Sequence, residues 1–297
     1  MGLKNFLNNI RYLFRYNIKE INNQVTNSIK KQNIDDIISI LPYIKIDDSK
    51  IKKPKIINVE ETIDKLIKTK KSMARLGDGE FTLINGESLP FQKYNKLLAK
   101  RLLDILQNKN NNIYVGISSI YYTIELEKYN KLIYEFLYIF TTRMRDFLND
   151  KINYKNEYIS AEITQLYQIY KDYDFLSYFE KIKKIWDNEE VVIVCGKTIF
   201  DKIDYNIFEN TKNITYEYAP SKNAYDEYDN ILKSCKKYPK NKLFIIILGP
   251  TATVLAYDLS ELGYRALDFG HIAKDYDYYM KNIERDRESI STFFKPD

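Results

Sequence analysis

The sequence predicts an α/β protein built on a mostly parallel β-sheet, with an amphipathic helical extension at its N-terminus. Three observations carry that expectation. In the second half, short β-branched runs alternate with helical stretches: "VVIVCG" runs into "KTIFDKI", "ITYEYAP" into "SKNAYDEYDNILKSC", "LFIIILGP" into "TATVLAYDLSELG", and "RALDFGH" into an acidic, aromatic tail. The 297 residues, 44% of them apolar, supply a core for one large domain or two small ones. Apolar residues in the first 21 positions recur at helical spacing.

At the N-terminus Phe6, Leu7, Ile10, Leu13, Phe14, Ile18 and Ile21 form one face, while Arg11, Arg15 and Lys19 fall on an adjoining one. Such a basic amphipathic helix packs on the main domain or on a second subunit, or lies in an anionic membrane surface. Phe6 stands where a myristoylation signal wants Ser or Thr. Residues 22 to 55 are polar, and "KIDDSKIKKPK" has the charge and proline of a linker. The expected division is therefore 1–54, helix and linker, and 55–297, the main domain.

From there the order reads as a helix ("VEETIDKLIKTK"), a short strand ("SMARLG"), a helix ("FQKYNKLLAKRLLDILQN"), a strand ("NIYVGIS") and a mainly helical, Tyr-rich middle. The alternating second half comes next.

Charge and cysteine usage narrow the setting. Lys4, Arg11, Arg15, Lys19, Lys30 and Lys31 stand against Glu20 alone in residues 1–31, which accounts for the formal charge of +5. The rest of the chain is balanced, which argues against a nucleic-acid groove. Cys195 and Cys235 match neither a disulfide framework nor a zinc spacing, so a reducing, cytoplasmic setting is expected. No apolar run reaches the ~18 residues of a membrane-spanning helix, and no signal-peptide core is present.

In open α/β sheets ligands bind beyond the carboxyl ends of the strands, where helix N-termini favour phosphate. The segments at those ends here are Gly77-Asp78-Gly79-Glu80, Gly196-Lys197, Pro220-Ser221-Lys222-Asn223, Gly249-Pro250-Thr251 and Gly270-His271. Each has an ordinary reading as a turn, a cap or a packing residue. Asp78 and Glu80 are harder to assign to a turn alone. Two hard oxygen ligands suit Mg²⁺ or Mn²⁺ together with substrate phosphates, and the flanking glycines allow a diphosphate close to the backbone.

These stretches resemble the GT-D glycosyltransferases, a bacterial family first catalogued as a domain of unknown function. "RLGDGEFTLINGESLPFQKY" is similar to its N-terminal signature, "APSKNAYDEYDNIL" to its middle one and "LGPTATVLAYDLSELGYRALDFGHI" to its C-terminal one, across residues 72 to 272. The resemblance implies a Rossmann-like domain that transfers a sugar, typically glucose from UDP-glucose, onto a glycan acceptor. Its D-x-E metal motif maps onto Asp78 and Glu80, with Arg75 as a donor or phosphate contact. Lys222 and Asn223 map to the middle block, and Gly249, Thr251 and His271 to the last, as donor-pocket residues. One departure stands out: where a Thr-Arg-Pro-like segment is expected, this chain has Thr164-Gln165-Leu166.

The expected protein is thus a Mn²⁺- or Mg²⁺-dependent hexosyltransferase acting on a glycan or glycoprotein acceptor in bacterial surface polysaccharide or glycoprotein synthesis. It is expected in the cytoplasm or at the inner face of the membrane, contacting anionic lipid or a partner through residues 1–31. Arg75 and Lys197 would aid the departing diphosphate, and Gly77, Gly79 and Gly196 would shape its seat. The general base is open among His271, Asp268, Asp275 and Asp277, the last two on what reads as a solvated acidic tail. Two rivals remain: a metal-dependent phosphohydrolase using the same acids on water, and a nucleotide-sugar-binding scaffold of an envelope-assembly complex.

Overall fold

The computed structural model describes residues 18–40, 52–107, 111–123 and 126–294. The chain divides into two compact units, Met1–Asp47 and Asp48–Asp297. In the first, helix α1 covers Ile18–Ile40. The stretch that reads as polar linker is therefore helical as far as Ile40. Ile18, Ile21, Val25 and Ile29 keep the three-to-four spacing, and neither Gly nor Pro interrupts them. Residues 1–17, which hold most of the predicted basic helix, lie outside the described residues. Among the described residues no helix is long and apolar enough to cross a membrane.

The second unit carries strands β1 (Lys55–Ile56), β2 (Ser72–Leu76), β3 (Ile113–Ile117), β4 (Glu157–Ser160), β5 (Glu190–Gly196), β6 (Asn213–Ala219), β7 (Leu243–Ile247) and β8 (Arg265–Asp268). They form one sheet in the order β1-β4-β3-β2-β8-β7-β5-β6, every pairing of which is parallel. The inner strands β5 and β7 are buried almost throughout, as their unbroken Val and Ile runs require of a sheet covered on both faces.

The helices are α2 (Val59–Thr69), α3 (Asp78–Ile84), α4 (Lys96–Gln107), α5 (Lys131–Lys151), α6 (Leu166–Ile169), α7 (Phe175–Lys183), α8 (Tyr228–Cys235), α9 (Pro250–Glu261), α10 (Ile272–Met280) and α11 (Arg287–Phe293). Asn58 starts α2 by accepting the Glu61 N–H at 2.8 Å, a cap worth ~1 kcal/mol. Helix α9 is buried along most of its length, and Thr253 on it donates to the Arg75 carbonyl at 2.8 Å. That bond ties α9 to the end of β2.

Four local expectations are corrected. The Tyr-rich middle holds a strand, β4, whose four residues are too few to show a period. Asp78 to Ile84 form a helix where the sequence reads as a loop, and α4 begins only at Lys96. "KTIFDKI" closes successive three-residue turns, with Ile199, Asp201 and Ile203 N–H groups donating to Gly196, Thr198 and Phe200 carbonyls. Thr198, Ile199 and Ile203 are β-branched and poor helix formers, and Asp277 takes the next N–H groups, those of Asp204 and Tyr205. Finally, the acidic tail is not a solvated face: Asp275 and Asp277 are buried in α10.

Candidate active site

A cavity of about 570 Å³ opens at the carboxyl ends of the strands. Its wall is built from the segments at or just past those ends: Gly77 to Glu80 after β2, Ser118 and Tyr121 after β3, Glu162 and Gln165 after β4, Gly196 at the end of β5 with Ile199 beyond it, Ser221 after β6, Leu248 to Pro250 after β7, and Gly270 and His271 after β8. β2 and β8 are neighbours in the sheet although far apart in sequence. Open α/β sheets bind ligands beyond the carboxyl ends of their strands, which is where this cavity lies.

The floor at that seam is an ion pair. Arg75 Nη2 lies 2.7 Å from Asp268 Oδ1, and Arg75 Nε donates to the Asp268 carbonyl at 2.8 Å. Burial holds the Asp268 carboxyl above its ordinary range, against the pull of the Arg75 charge. Gly270 is needed beside this pair. Its φ is +33°, and a Cβ there would stand 2.2 Å from Arg75 Nη2.

The two acids of the D-x-E stretch occupy the first turn of α3. Glu80 folds back, its Oε2 accepting the Gly77 N–H at 2.7 Å, so one oxygen caps the helix and Oε1 is left for other work. Burial, then the charge of Asp268, pushes the Glu80 carboxyl up to about 7, against the Gly77 N–H and Arg75. Asp78 is reached by solvent at the cavity wall and is at the same time ringed by protein atoms. The ring raises its carboxyl, and access to water tempers that push. Neither Gly77 nor Gly79 has a positive φ. A Cβ on Gly79 would meet only the Leu89 side chain, at 3.2 Å.

His271 precedes α10 and makes no side-chain cap, so its ring is free of that duty and lines the cavity. Phe293 and Phe294 pack against it at 5.3 and 5.7 Å between centroids. Burial, aided by Arg75 and Lys274, pulls its pKa down to about 3, so the imidazole is neutral near pH 7. The N-terminus of α9, at Gly249, also has no side-chain cap and opens on the same space. Gly249 sits at φ +52°, where a Cβ would lie 2.9 Å from the Phe91 ring.

Arg75, Gly77, Asp78, Gly79, Glu80, Gly196, Gly249 and His271 thus share one wall. Lys197, Lys222, Asn223 and Thr251 do not line it. Lys197 and Lys222 are exposed. Asn223, at φ +51°, clasps the cavity's roof from behind: its N–H donates to the Phe91 carbonyl and its Oδ1 accepts the Lys93 N–H, each at 2.8 Å. Thr251 is buried, and its Oγ1 has no partner among the described residues.

Asp275 and Asp277 are spent elsewhere. Asp275 accepts the Tyr167 and Gln168 N–H groups at 3.0 and 3.2 Å, and Asp277 those of Asp204 and Tyr205. Of the four groups that could serve as a base, Asp268 and His271 reach the cavity.

Glu162 is the residue that the sequence does not single out. It is buried in the wall and accepts from Ser118 Oγ at 2.8 Å, Ser119 N at 2.8 Å, Ser119 Oγ at 2.7 Å, Ile120 N at 3.2 Å and the Tyr170 hydroxyl at 2.6 Å. It organises the loop carrying Tyr121, whose ring meets Phe81 of α3 edge-on. An acid just after a strand is the signal, and it stays hidden while β4 is unread. Gln165, where the family resemblance calls for an arginine, faces the cavity with a neutral amide.

Two hard carboxylates at a site open to a phosphorylated ligand fit Mg²⁺ or Mn²⁺ in chemistry. Among the described residues no group of three His, Cys, Asp or Glu side chains stands ready to hold a metal ion. Oxygens of the ligand would have to complete the shell.

Comparisons with known proteins place the fold and the family. A probable glycosyl transferase, Gly, of Streptococcus gordonii is 30% identical over 229 residues, 76% of this chain and 33% of that protein. The glycosyltransferase GlyD of Streptococcus pneumoniae serotype 4 is 28% identical over 222 residues, 74% of this chain and 27% of that protein. The chain therefore spans about a third or less of the length of these relatives. Among solved structures, a glycosyltransferase from Streptococcus sanguinis superposes with a TM-score of 0.73 at 28% identity, covering 77% of this chain and 86% of that one. A domain of unknown function 1792 described as having a distinct glycosyltransferase fold gives 0.72 at 31% identity, covering 79% and 84%. With residues 73–292 matched by the model of the glycosyltransferase GT-D fold, the chain belongs to that family.

Proposed function

We propose that this chain transfers a hexose, glucose being the first candidate, from a UDP-sugar to a glycan or glycoprotein acceptor in bacterial surface polysaccharide or glycoprotein synthesis. The observation that carries the reading is the meeting of Asp78 and Glu80 with the uncapped N-termini of α9 and α10 around one cavity. Free N–H groups at helix starts favour phosphate oxygens, and a carboxylate pair beside them favours a hard cation on the same diphosphate.

In this reading Asp78 and Glu80 Oε1 hold Mn²⁺ or Mg²⁺, which when bound neutralises charge developing on the leaving diphosphate. Arg75, fixed by Asp268, adds a positive field at the seam without having to reorganise. Gly249 and Gly270 leave room for the Phe91 ring and the Arg75 guanidinium against backbone beside the donor seat. His271, neutral and packed against the Phe293 and Phe294 rings, presents a ring nitrogen that can orient an acceptor hydroxyl by accepting its hydrogen bond; with its pKa pulled down to about 3 it is a weak base. The Phe91 loop, clasped by Asn223, helps to keep water from the reacting carbon.

Residues 1–31 supply a second part of the reading: attachment of a cytoplasmic enzyme to anionic membrane or to a partner protein. Its support is the coincidence of apolar periodicity with the chain's excess positive charge.

The deciding measurement is calorimetry and thermal shift with UDP-glucose and UDP, each with and without Mn²⁺. Binding that requires the metal, followed by transfer of labelled glucose to added glycan, is the expected result. Phosphate release from simple esters without sugar transfer would instead point to the hydrolase.

A further inference from the structure

We infer that the open face of β6, beside the cavity, is a docking shelf for the acceptor glycan. The inference rests on the transferase reading above and extends it to where the second substrate lies.

Among the described residues β6 is an edge strand that pairs with β5 alone. The connection from β5 to β6 forms turns rather than a helix. Sheet residues that a crossover helix would bury are consequently bare: Tyr216 is 37% exposed and Tyr218 54%. The two are alternate residues, so they project from the same face. Their rings lie parallel, 7° apart in orientation, with centroids 5.9 Å apart. Exposed aromatic rings held in one orientation are unusual for a surface with no partner.

The shelf is continuous with the cavity. Phe200 meets Tyr216 edge-on at 5.6 Å, while its neighbour Ile199 lines the cavity. Beyond the end of β6, Ser221 lines it as well and sits where a Cβ on Gly196 would collide with its Oγ at 2.5 Å. Tyr216 is three residues from the strand's end at Ala219, ~10 Å along the strand. An oligosaccharide spans that distance while its terminal sugar enters the cavity.

Chemistry selects the occupant. A sugar ring offers an apolar C–H face and a rim of hydroxyls, and tyrosine offers an apolar ring with a hydroxyl tip. The strand "NITYEYA" places no Lys or Arg beside the two rings, and the exposed Lys212 and Lys222 stand only at its ends, so contact on the shelf itself is with the rings rather than with a phosphate-binding charge. Its one charge, Glu217, lies between the two tyrosines and so on the opposite face, where it accepts from the Tyr238 hydroxyl at 3.0 Å.

The test uses the full chain and the double variant Tyr216→Thr/Tyr218→Thr, which retains strand propensity. Both are applied to an array of defined bacterial surface oligosaccharides and to thermal shift with UDP and Mn²⁺. The parent is expected to retain a subset of the oligosaccharides. The variant should lose at least tenfold of that signal, with its melting temperature and UDP shift unchanged. Equal retention by the variant, or no retention by the parent, overturns the shelf. So does sedimentation showing a parent dimer that the variant breaks, which would make the face a contact between copies. If the double variant misfolds, Tyr218→Thr alone is judged by the same outcomes. A parent that retains glycans but shows no UDP shift supports the shelf and tells against the donor reading.

Discussion

Arg75 and Asp268 grip each other across the β2–β8 seam through two contacts, guanidinium to carboxylate at 2.7 Å and Nε to the Asp268 carbonyl at 2.8 Å. Their side chains are 15% and 4% exposed, so removing one leaves the other poorly compensated. Arg75→Met is expected to cost about 3–5 kcal/mol, which for a unit of this size lowers the melting temperature by roughly 10 °C. Calorimetric melting checks it, and a variant that melts with the parent would remove the pair from the account of stability.

Gly270 should be the least replaceable glycine of the site. Gly270→Ala places a Cβ against Arg75 Nη2 at a positive φ, so both stability and UDP binding are expected to fall. Gly79→Ala is the contrast: it meets only Leu89, and alanine in a helix is favoured over glycine by up to ~1 kcal/mol. Gly79→Ala should therefore melt no lower than the parent while weakening UDP binding, if a phosphate approaches that backbone. Melting and calorimetry on the two variants separate the cases.

Asp275 gives the pH dependence a sign. Burial pushes its carboxyl up to about 8, despite the Tyr167 and Gln168 N–H groups that pull it down. Below the ordinary range of about 4 it is protonated folded or unfolded, and no dependence arises. Between about 4 and 8 the folded state keeps a proton that the unfolded chain has released, so rising pH favours unfolding. Urea titrations across that window should show stability falling with pH, with a flatter slope in Asp275→Asn, which keeps an acceptor oxygen. A parent slope that the variant reproduces would remove Asp275 as the cause.

Much of the sheet is legible in the sequence because its buried strands are unbroken β-branched runs. "VVIVCG" and "LFIIILGP" admit few other readings, and the glycines after them place the site. The short strands β1 and β4 are not legible: two residues show no period, and "EYIS" lacks the closing glycine that marks the end of β8, itself four residues long. With β4 goes Glu162, whose five donors come from loops that only the folded sheet brings together. Asn223 shows the converse: its position can be found, but its hydrogen bonds to the Phe91–Lys93 loop depend on a contact 130 residues away. The acidic tail misleads because burial of a carboxylate at a helix start or a turn leaves no mark in composition.

The acids of α3 carry the last prediction. Glu80 already serves as a cap through Oε2, so Glu80→Gln, which still offers an amide oxygen to the Gly77 N–H, should preserve α3 and change only the charge. The Asp78 carboxylate leans on the N–H groups of its own turn, those of Asp78 and Gly79, which an asparagine oxygen can also meet, so Asp78→Asn should cost no more than about 1 kcal/mol of stability. Both variants are nevertheless expected to lose most metal-dependent binding of UDP, because an amide cannot hold a hard divalent cation against a diphosphate as a carboxylate does. Calorimetry with UDP, with and without Mn²⁺, reads the difference directly. The control is binding without metal, which relies on the N-termini of α9 and α10; it should be weak in the parent and no weaker in either variant, since each exchange removes a negative charge beside the diphosphate. If both variants bind UDP and Mn²⁺ as the parent does, the metal is held elsewhere, and Glu80 is left with the cap as its whole role.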